Sequence, residues 1–277
     1  MSSDSSTAVV ETVEAEFMYN CVSSAPDSAK SQLGIRTIRI GGGVALSVRD
    51  DVTGYWSKAL GFGFTEPVSH DLIGRVLSFY REANSPGTVI QIAPSAVPRD
   101  WDEICAGYDI RPDSTWLKLT CQIEDFRPSQ TQLHVAPVGR ADVSEWASVT
   151  LRGFGMPEEG LLDMVTASVE NPNLRPFAVW DGDEIIAAAS LFVHGRVGSL
   201  NAAATLPEHR NGGAQSALIA ARANAAAGAG CRHLVAESGK PADGASSPSL
   251  NNLFRSGFRP LYDRQNWIWR PATDRPS

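Results

Sequence analysis

The chain has 277 residues, 43% hydrophobic and 20% charged, a composition that excludes a disordered protein and a length that suits two domains. Its net charge of −7, with no Lys/Arg cluster, argues against general nucleic-acid binding, where cationic contacts to phosphate dominate affinity. No apolar run is long enough to span a membrane, residues 1–8 lack the features of a signal peptide, and Cys21, Cys105, Cys121 and Cys231 are scattered without a CxxC pair. The expectation is therefore a cytoplasmic protein with no membrane partner, no disulfide framework and no metal site.

In chain order, Ala8 to Leu33 reads as one or two helices with Val9, Val13, Phe17 and Val22 on one side and Pro26 as the break. Ile35 to Val48 alternates around Gly41-Gly42-Gly43 and predicts a hairpin; no helix follows it at once, so no ligand is assigned to these glycines. Ser69 is placed to cap a helix carrying Leu72, Ile73, Val76, Leu77 and Tyr80. Val89 to Ile92 reads as a buried strand, Pro98 to Tyr108 as a helix, and Trp116 to Leu119 as a strand. Residues 127–132 are polar and link this half to the next.

The second half opens with a strand over Leu133 to Val138. Asp142 is expected to cap a helix through Trp146, Val149 and Leu151, and a second helix follows Pro157, with a loop Gly153-Phe154-Gly155-Met156 between them. Phe177 to Val193 forms a hairpin turning at Asp181-Gly182-Asp183. A strand from Gly198 to Thr205 then runs into Pro207 and the turn Arg210-Asn211-Gly212-Gly213, behind which an Ala/Leu/Ile/Arg run predicts a helix to Gly230. Glycines at such a turn let successive N–H groups converge, and the helix N-terminus behind them adds donors suited to a phosphate or pyrophosphate. An ordinary helix entry has the same residues. After it come a strand near Leu234, a Pro/Gly/Ser loop, a helix to Gly257-Phe258, and a strand around Trp267 to Trp269.

Arg210-x-x-Gly213, preceded by Pro207-Glu208-His209 and followed by Leu218, resembles motif A of the GNAT acyltransferases, whose form is Arg or Gln, two residues, Gly, one residue, then Gly or Ala. Here Gln215 stands at the final small position. The ending Asn251-Asn252 through Gly257-Phe258 is also similar to that family. The order helix, strand, proline loop, helix, Gly-aromatic, Trp strand occurs in both halves, with Gly107 before Trp116 and Gly257 before Trp267. This implies a tandem arrangement: residues 1–127 a degenerate GNAT-like domain, in which Phe62 and Phe64 take the room of a pyrophosphate, and residues 128–277 the catalytic one. The fold expected is α/β (α+β), two mixed, mostly antiparallel sheets flanked by helices.

The resemblance implies acetyl-CoA as co-substrate and no metal. Carried over position by position, Ala203, Ala204 and Thr205 hold the pantetheine arm by main-chain hydrogen bonds. Arg210, Asn211, Gly212, Gly213, Ala214, Gln215 and Ser216 surround the pyrophosphate, and Asn251 or Asn252 contacts the cofactor or caps its helix. Phe154 and Met156 either touch the acyl acceptor or cap the core. Acetylating an amine requires a proton acceptor, and a donor assists the departing thiolate. The strand before the turn carries no Asp or Glu, and Leu253 stands where the family has its tyrosine. Glu237 is the candidate base and Tyr262 the candidate acid. The reading is an N-acetyltransferase acting on a small-molecule amine as a monomer or homodimer; the alternatives are a non-catalytic CoA-binding module, or transfer of a longer acyl group or to a protein lysine.

Overall fold

The computed structural model describes residues 3–242 and 244–271. The chain divides into two compact units, one of residues 1–116 with 264–277 and one of residues 117–263.

Unit 1 opens with helices α1 (Ser3–Ser23) and α2 (Asp27–Leu33), broken at Pro26 because proline has no N–H to continue the helix and its ring clashes with the preceding turn. Gly34 ends α2 in the left-handed region. Strands β1 (Ile35–Ile40) and β2 (Gly43–Val48) form the hairpin read from the sequence, followed by β3 (Lys58–Leu60). Helix α3 (His70–Glu82) is capped by the Ser69 hydroxyl, which accepts from the Leu72 N–H. Its periodic residues Leu72, Ile73, Val76, Leu77 and Tyr80 are all buried. Strand β4 (Thr88–Gln91), helix α4 (Trp101–Tyr108) and strand β5 (Arg111–Gln122) complete the first half.

In unit 2, β6 (His134–Pro137) precedes α5 (Val143–Phe154) and α6 (Leu161–Ala167). Two local expectations are corrected here. Asp142 occupies the position before α5, but its side chain makes no capping bond, and the helix runs on through Gly153 and Phe154 to stop at left-handed Gly155. Strands β7 (Leu174–Asp181) and β8 (Glu184–His194) pair Asp181 with Glu184, so the two turn residues are Gly182-Asp183, with Gly182 supplying the positive φ. Strand β9 (Val197–Thr205), helix α7 (Ala214–Gly228), strand β10 (His233–Gly239), helix α8 (Pro248–Arg255) and strand β11 (Arg259–Trp269) follow.

Both units use one pairing scheme. In unit 1, β1, β2 and β3 are antiparallel neighbours and β3 lies parallel to β4. In unit 2, β7, β8 and β9 are antiparallel neighbours and β9 lies parallel to β10. Strand pairing in each unit is thus mixed and mostly antiparallel, with helices packed on the strands. Residues 264–269 of β11 belong to unit 1, where Asn266 to Trp269 pair with β4, and residues 117–122 of β5 belong to unit 2, beside β10. Core clusters sit between sheet and helices: Ala45, Leu72, Ile73, Val76, Ile90 and Trp269 in unit 1, and Leu119, Val179, Leu191, Leu218, Ile219 and Leu234 in unit 2. Each such side chain removed from water stabilises by about 1.5–3 kcal/mol. All four cysteines are buried, and none forms a disulfide. Among the described residues no helix is long and apolar enough to cross a membrane.

Candidate active site

The site is built on β9. Its parallel ladder with β10 covers Val197, Gly198 and Ser199 against His233, Leu234 and Val235, yet β9 continues to Thr205 and β10 to Gly239. Beyond Ser199 the two strands part and leave main chain unpaired along one side of β9. On its other side, Ala204 pairs with Ala188 and Asn201 with Ser190, so three steps along β9 oppose two along β8. The extra residue makes a bulge, with Ala202 at φ 49°, where a side chain is rarely found.

Past the bulge the chain enters the basic turn. Asn211 and Gly213 have φ of 66° and 85°, and α7 starts at Ala214 with no side-chain cap. The N–H groups from Asn211 to Ser216 meet no acceptor among the described residues; Ala217 is the first to bond back, to the Gly213 carbonyl. A Cβ built on Gly213 would have no atom within 4 Å, so open space lies in front of these donors. Such a run of free N–H groups at a helix N-terminus is an anion cradle. The residues present therefore fit a pyrophosphate.

Arg210 is exposed and spans two elements, its Nη2 donating to the Gly153 carbonyl at 3.1 Å and its Nε to the Thr205 carbonyl at 3.4 Å. Gly153 allows this approach: a Cβ there would lie 2.6 Å from that of Ala204. Gln215, at the position where the motif has a small residue, does not fill the cradle. Its Nε2 donates to Ser249 Oγ at 2.9 Å, and its Oε1 accepts from Asn252 Nδ2 at 2.8 Å. Asn252 is thereby the α8 asparagine joined to the turn, whereas Asn251 donates to Ser246. The Ser216 carbonyl accepts from the Ser129 hydroxyl at 3.4 Å.

Glu237 lies on β10 past the point where the strands part, and its Oε2 is 3.2 Å from Lys118 Nζ in a nearly enclosed ion pair. Leu253 is buried in the core of unit 2. Tyr262 sits half-buried on β11. Phe154, 51% exposed at the end of α5, and half-buried Met156 follow the glycine that touches β9. The contributions of Gly153, Lys118 and the buried Arg222 of α7 were not read from the sequence; only Arg222, the one charged residue of its helix, carried a signal that could have been followed.

A groove of about 710 Å³ in unit 1 is lined in part by Arg36, His70, Asp71, Arg75, Glu82 and Tyr108 and by none of the unit 2 residues just described. Its cations are engaged within the protein, Arg75 with Asp71 and Glu66 and Arg36 with the Glu82 carbonyl. The chemistry is better matched by the open turn in unit 2 than by this groove.

A parallel strand pair that parts beside a bulged strand and feeds an uncapped helix through a glycine turn matches the GNAT acyltransferase fold. Residues 141–258 match the sequence profile of the Acetyltransferase (GNAT) family. Among solved structures, a GCN5-related N-acetyltransferase from Kribbella flavida is 15% identical with a TM-score of 0.60, over 89% of this chain and 94% of that one. A tandem GNAT protein from the clavulanic acid biosynthesis pathway is 11% identical with a TM-score of 0.59, over 99% and 98%. A GCN5-related N-acetyltransferase from Sphaerobacter thermophilus is 12% identical with a TM-score of 0.57, over 87% and 78%. At these identities the likeness is one of fold. The curated proteins contain no match to this chain.

Proposed function

We propose that the protein is an N-acetyltransferase that moves the acetyl group of acetyl-CoA to the amine of a small metabolite. The observation that carries this reading is the run of six unpartnered N–H groups from Asn211 to Ser216 around open space at the head of the parted β9–β10 pair. Acetyl-CoA would supply the activated thioester. The turn and Arg210 bind its anionic end, the main chain of Ala203 to Thr205 aligns its arm, and Asn252 with Gln215 braces the turn from α8. Phe154 and Met156 flank the acceptor. Glu237 takes the amine proton and Tyr262 serves as the donor to the thiolate. The reading includes a repeat origin, residues 1–127 being the degenerate copy and 128–277 the catalytic one, supported by the shared strand pairing of the two units.

Calorimetric titration of acetyl-CoA and CoA into the intact protein and a Gly213→Trp variant tests the cradle, because an indole at that position fills the open space. One binding event, lost in the variant, is expected; binding that survives the substitution overturns the assignment.

A second reading, a CoA-binding module without catalysis, is favoured by two observations: the Glu237 carboxylate is held by Lys118, and Leu253 is core. Tight CoA binding with no acetyl transfer across a panel of small amines and lysine peptides would establish it in place of the first.

A further inference from the structure

Arg222 is one of the largest fully buried side chains in the protein, 1% exposed on the inner face of α7, and among the described residues no carboxylate pairs with it. Burial pulls its pKa down to about 9, so it remains a cation at neutral pH. A buried charge without a counter-ion is costly and persists only where polar groups surround it. Here those groups are carbonyls. Nε donates to Leu218 O at 3.0 Å within α7, and Nη1 donates to both Ser190 O and Asn201 O at 3.1 Å.

The last two carbonyls belong to the residue pair that closes the β9 bulge. A bulge interrupts the ladder and leaves main-chain groups without strand partners. Arg222 accepts that role for Ser190 and Asn201, and the Trp146 indole, on α5, donates to Ala189 O at 3.2 Å, the β8 residue opposite the extra residue of β9. The next residue, Ala202, holds its left-handed φ without being glycine, so something other than intrinsic preference keeps it there. In a trans peptide the C=O and N–H point in opposite directions, so fixing Asn201 O toward α7 turns the Ala202 N–H away from that helix.

We infer that Arg222 is a positioning residue: its guanidinium, bridging Ser190 O and Asn201 O, holds the β9 bulge and so sets the direction in which the Ala202–Ala204 main chain presents its hydrogen-bonding groups to the acyl end of the donor. The inference rests on the acyl-transfer reading of this site, and it adds that one buried cation, distant in sequence from the strand, sets the geometry of that strand and leaves the phosphate turn untouched.

The test compares the intact wild-type protein with Arg222→Met, Arg222→Lys and the double variant Arg222→Met with Ala202→Gly. Amide hydrogen exchange is read along β7, β9 and α7, and calorimetry gives the affinity for CoA. Steady-state kinetics are followed with whichever amine the panel identifies. In Arg222→Met the amides of residues 201–204 are expected to exchange at least tenfold faster while those of β7 are unchanged, and CoA affinity stays within threefold. The kcat falls at least tenfold with KM for acetyl-CoA within threefold. Lysine recovers part of the protection because it keeps a cation and donors, and Ala202→Gly recovers part because glycine adopts the bulge conformation without strain.

Unchanged exchange at residues 201–204, or an equal rise throughout unit 2, overturns the inference, because the guanidinium would then only stabilise the core. If Arg222→Met does not fold, Arg222→Lys carries the same comparison at smaller amplitude, since an ammonium reaches the two carbonyls less well. If wild type binds no CoA, the acyl-transfer reading fails and the catalytic consequence fails with it, while the exchange data still decide whether Arg222 holds the bulge.

Discussion

The two units share a pairing scheme but treat the loop between parallel strand and helix in opposite ways. In unit 2, β9 runs through a bulge into a turn whose N–H groups are free, and α7 begins without a cap. In unit 1, β3 is only three residues long, Phe62 is buried at 1% exposure, and α3 is capped by its own Ser69. The glycines differ in the same sense. A Cβ on Gly63 would lie 2.5 Å from the Cβ of Ala96 and one on Gly61 2.8 Å from that of Ala15, whereas one on Gly213 meets nothing. Glycine in unit 1 lets the chain pack closely; in unit 2 it keeps a space open. A glycine turn is therefore a ligand site only where its donors and its volume are not already used by the protein.

Substitutions sharpen that contrast. The largest expected effect is on binding: Gly213→Trp weakens CoA at least about 100-fold, on the order of 3 kcal/mol by calorimetry, while the φ of 85° at that position costs a side chain about 1–3 kcal/mol of stability, read separately by thermal melting. The converse substitution, Gly63→Ala, imposes a strained φ of 93° and a contact with Ala96, and is expected to destabilise unit 1 by about 3 kcal/mol while CoA affinity holds. Should Gly63→Ala weaken CoA and Gly213→Trp not, the assignment of the units is reversed. A smaller effect comes from Ser69→Ala, which removes the α3 cap and costs about 1 kcal/mol in urea unfolding, with ligand binding unaffected.

The smallest prediction treats the units alike. Burial pushes the thiols of Cys105 in unit 1 and Cys121 in unit 2 up to about 11. A folded pKa above the ordinary value near 9 means that both states hold the proton below about pH 9, where stability is unaffected, and that stability falls as pH rises from there through about 11. Thiol-reagent labelling at pH 8 is expected to be negligible in the native protein and complete in urea. Fast native labelling at either cysteine would show that its burial is not maintained.

Much of this architecture was legible because it follows from local chemistry. The α3 apolar spacing, the Ser69 cap, the Pro26 break and the β1–β2 hairpin are decided by residues a few positions apart. Boundaries were read less well. The turn between β7 and β8 centres on Gly182-Asp183, one residue on from the Asp-Gly pair, because pairing Asp181 with Glu184 sets the register of the whole hairpin. At α5, helical bonding continued through Gly153 because close packing on Ala204 outweighs the low helix propensity of glycine.

The sequence by itself determined the cradle: Arg210, the glycine pair and the helix former behind them specify a turn with converging donors, since φ and the missing Cβ are properties of the residues themselves. Tertiary structure alone decided what surrounds it. Gln215 departs from the motif, and only the position of α8 turns its side chain onto Ser249 and Asn252 and out of the cradle. Glu237 reads as a free carboxylate until Lys118 is folded against it from a strand 119 positions away. Arg222 gains its role only when the β9 bulge offers it two carbonyls. Hydrogen bonds and ion pairs between residues far apart in the chain exist only once the sheet has set their distance, and no local pattern encodes that distance.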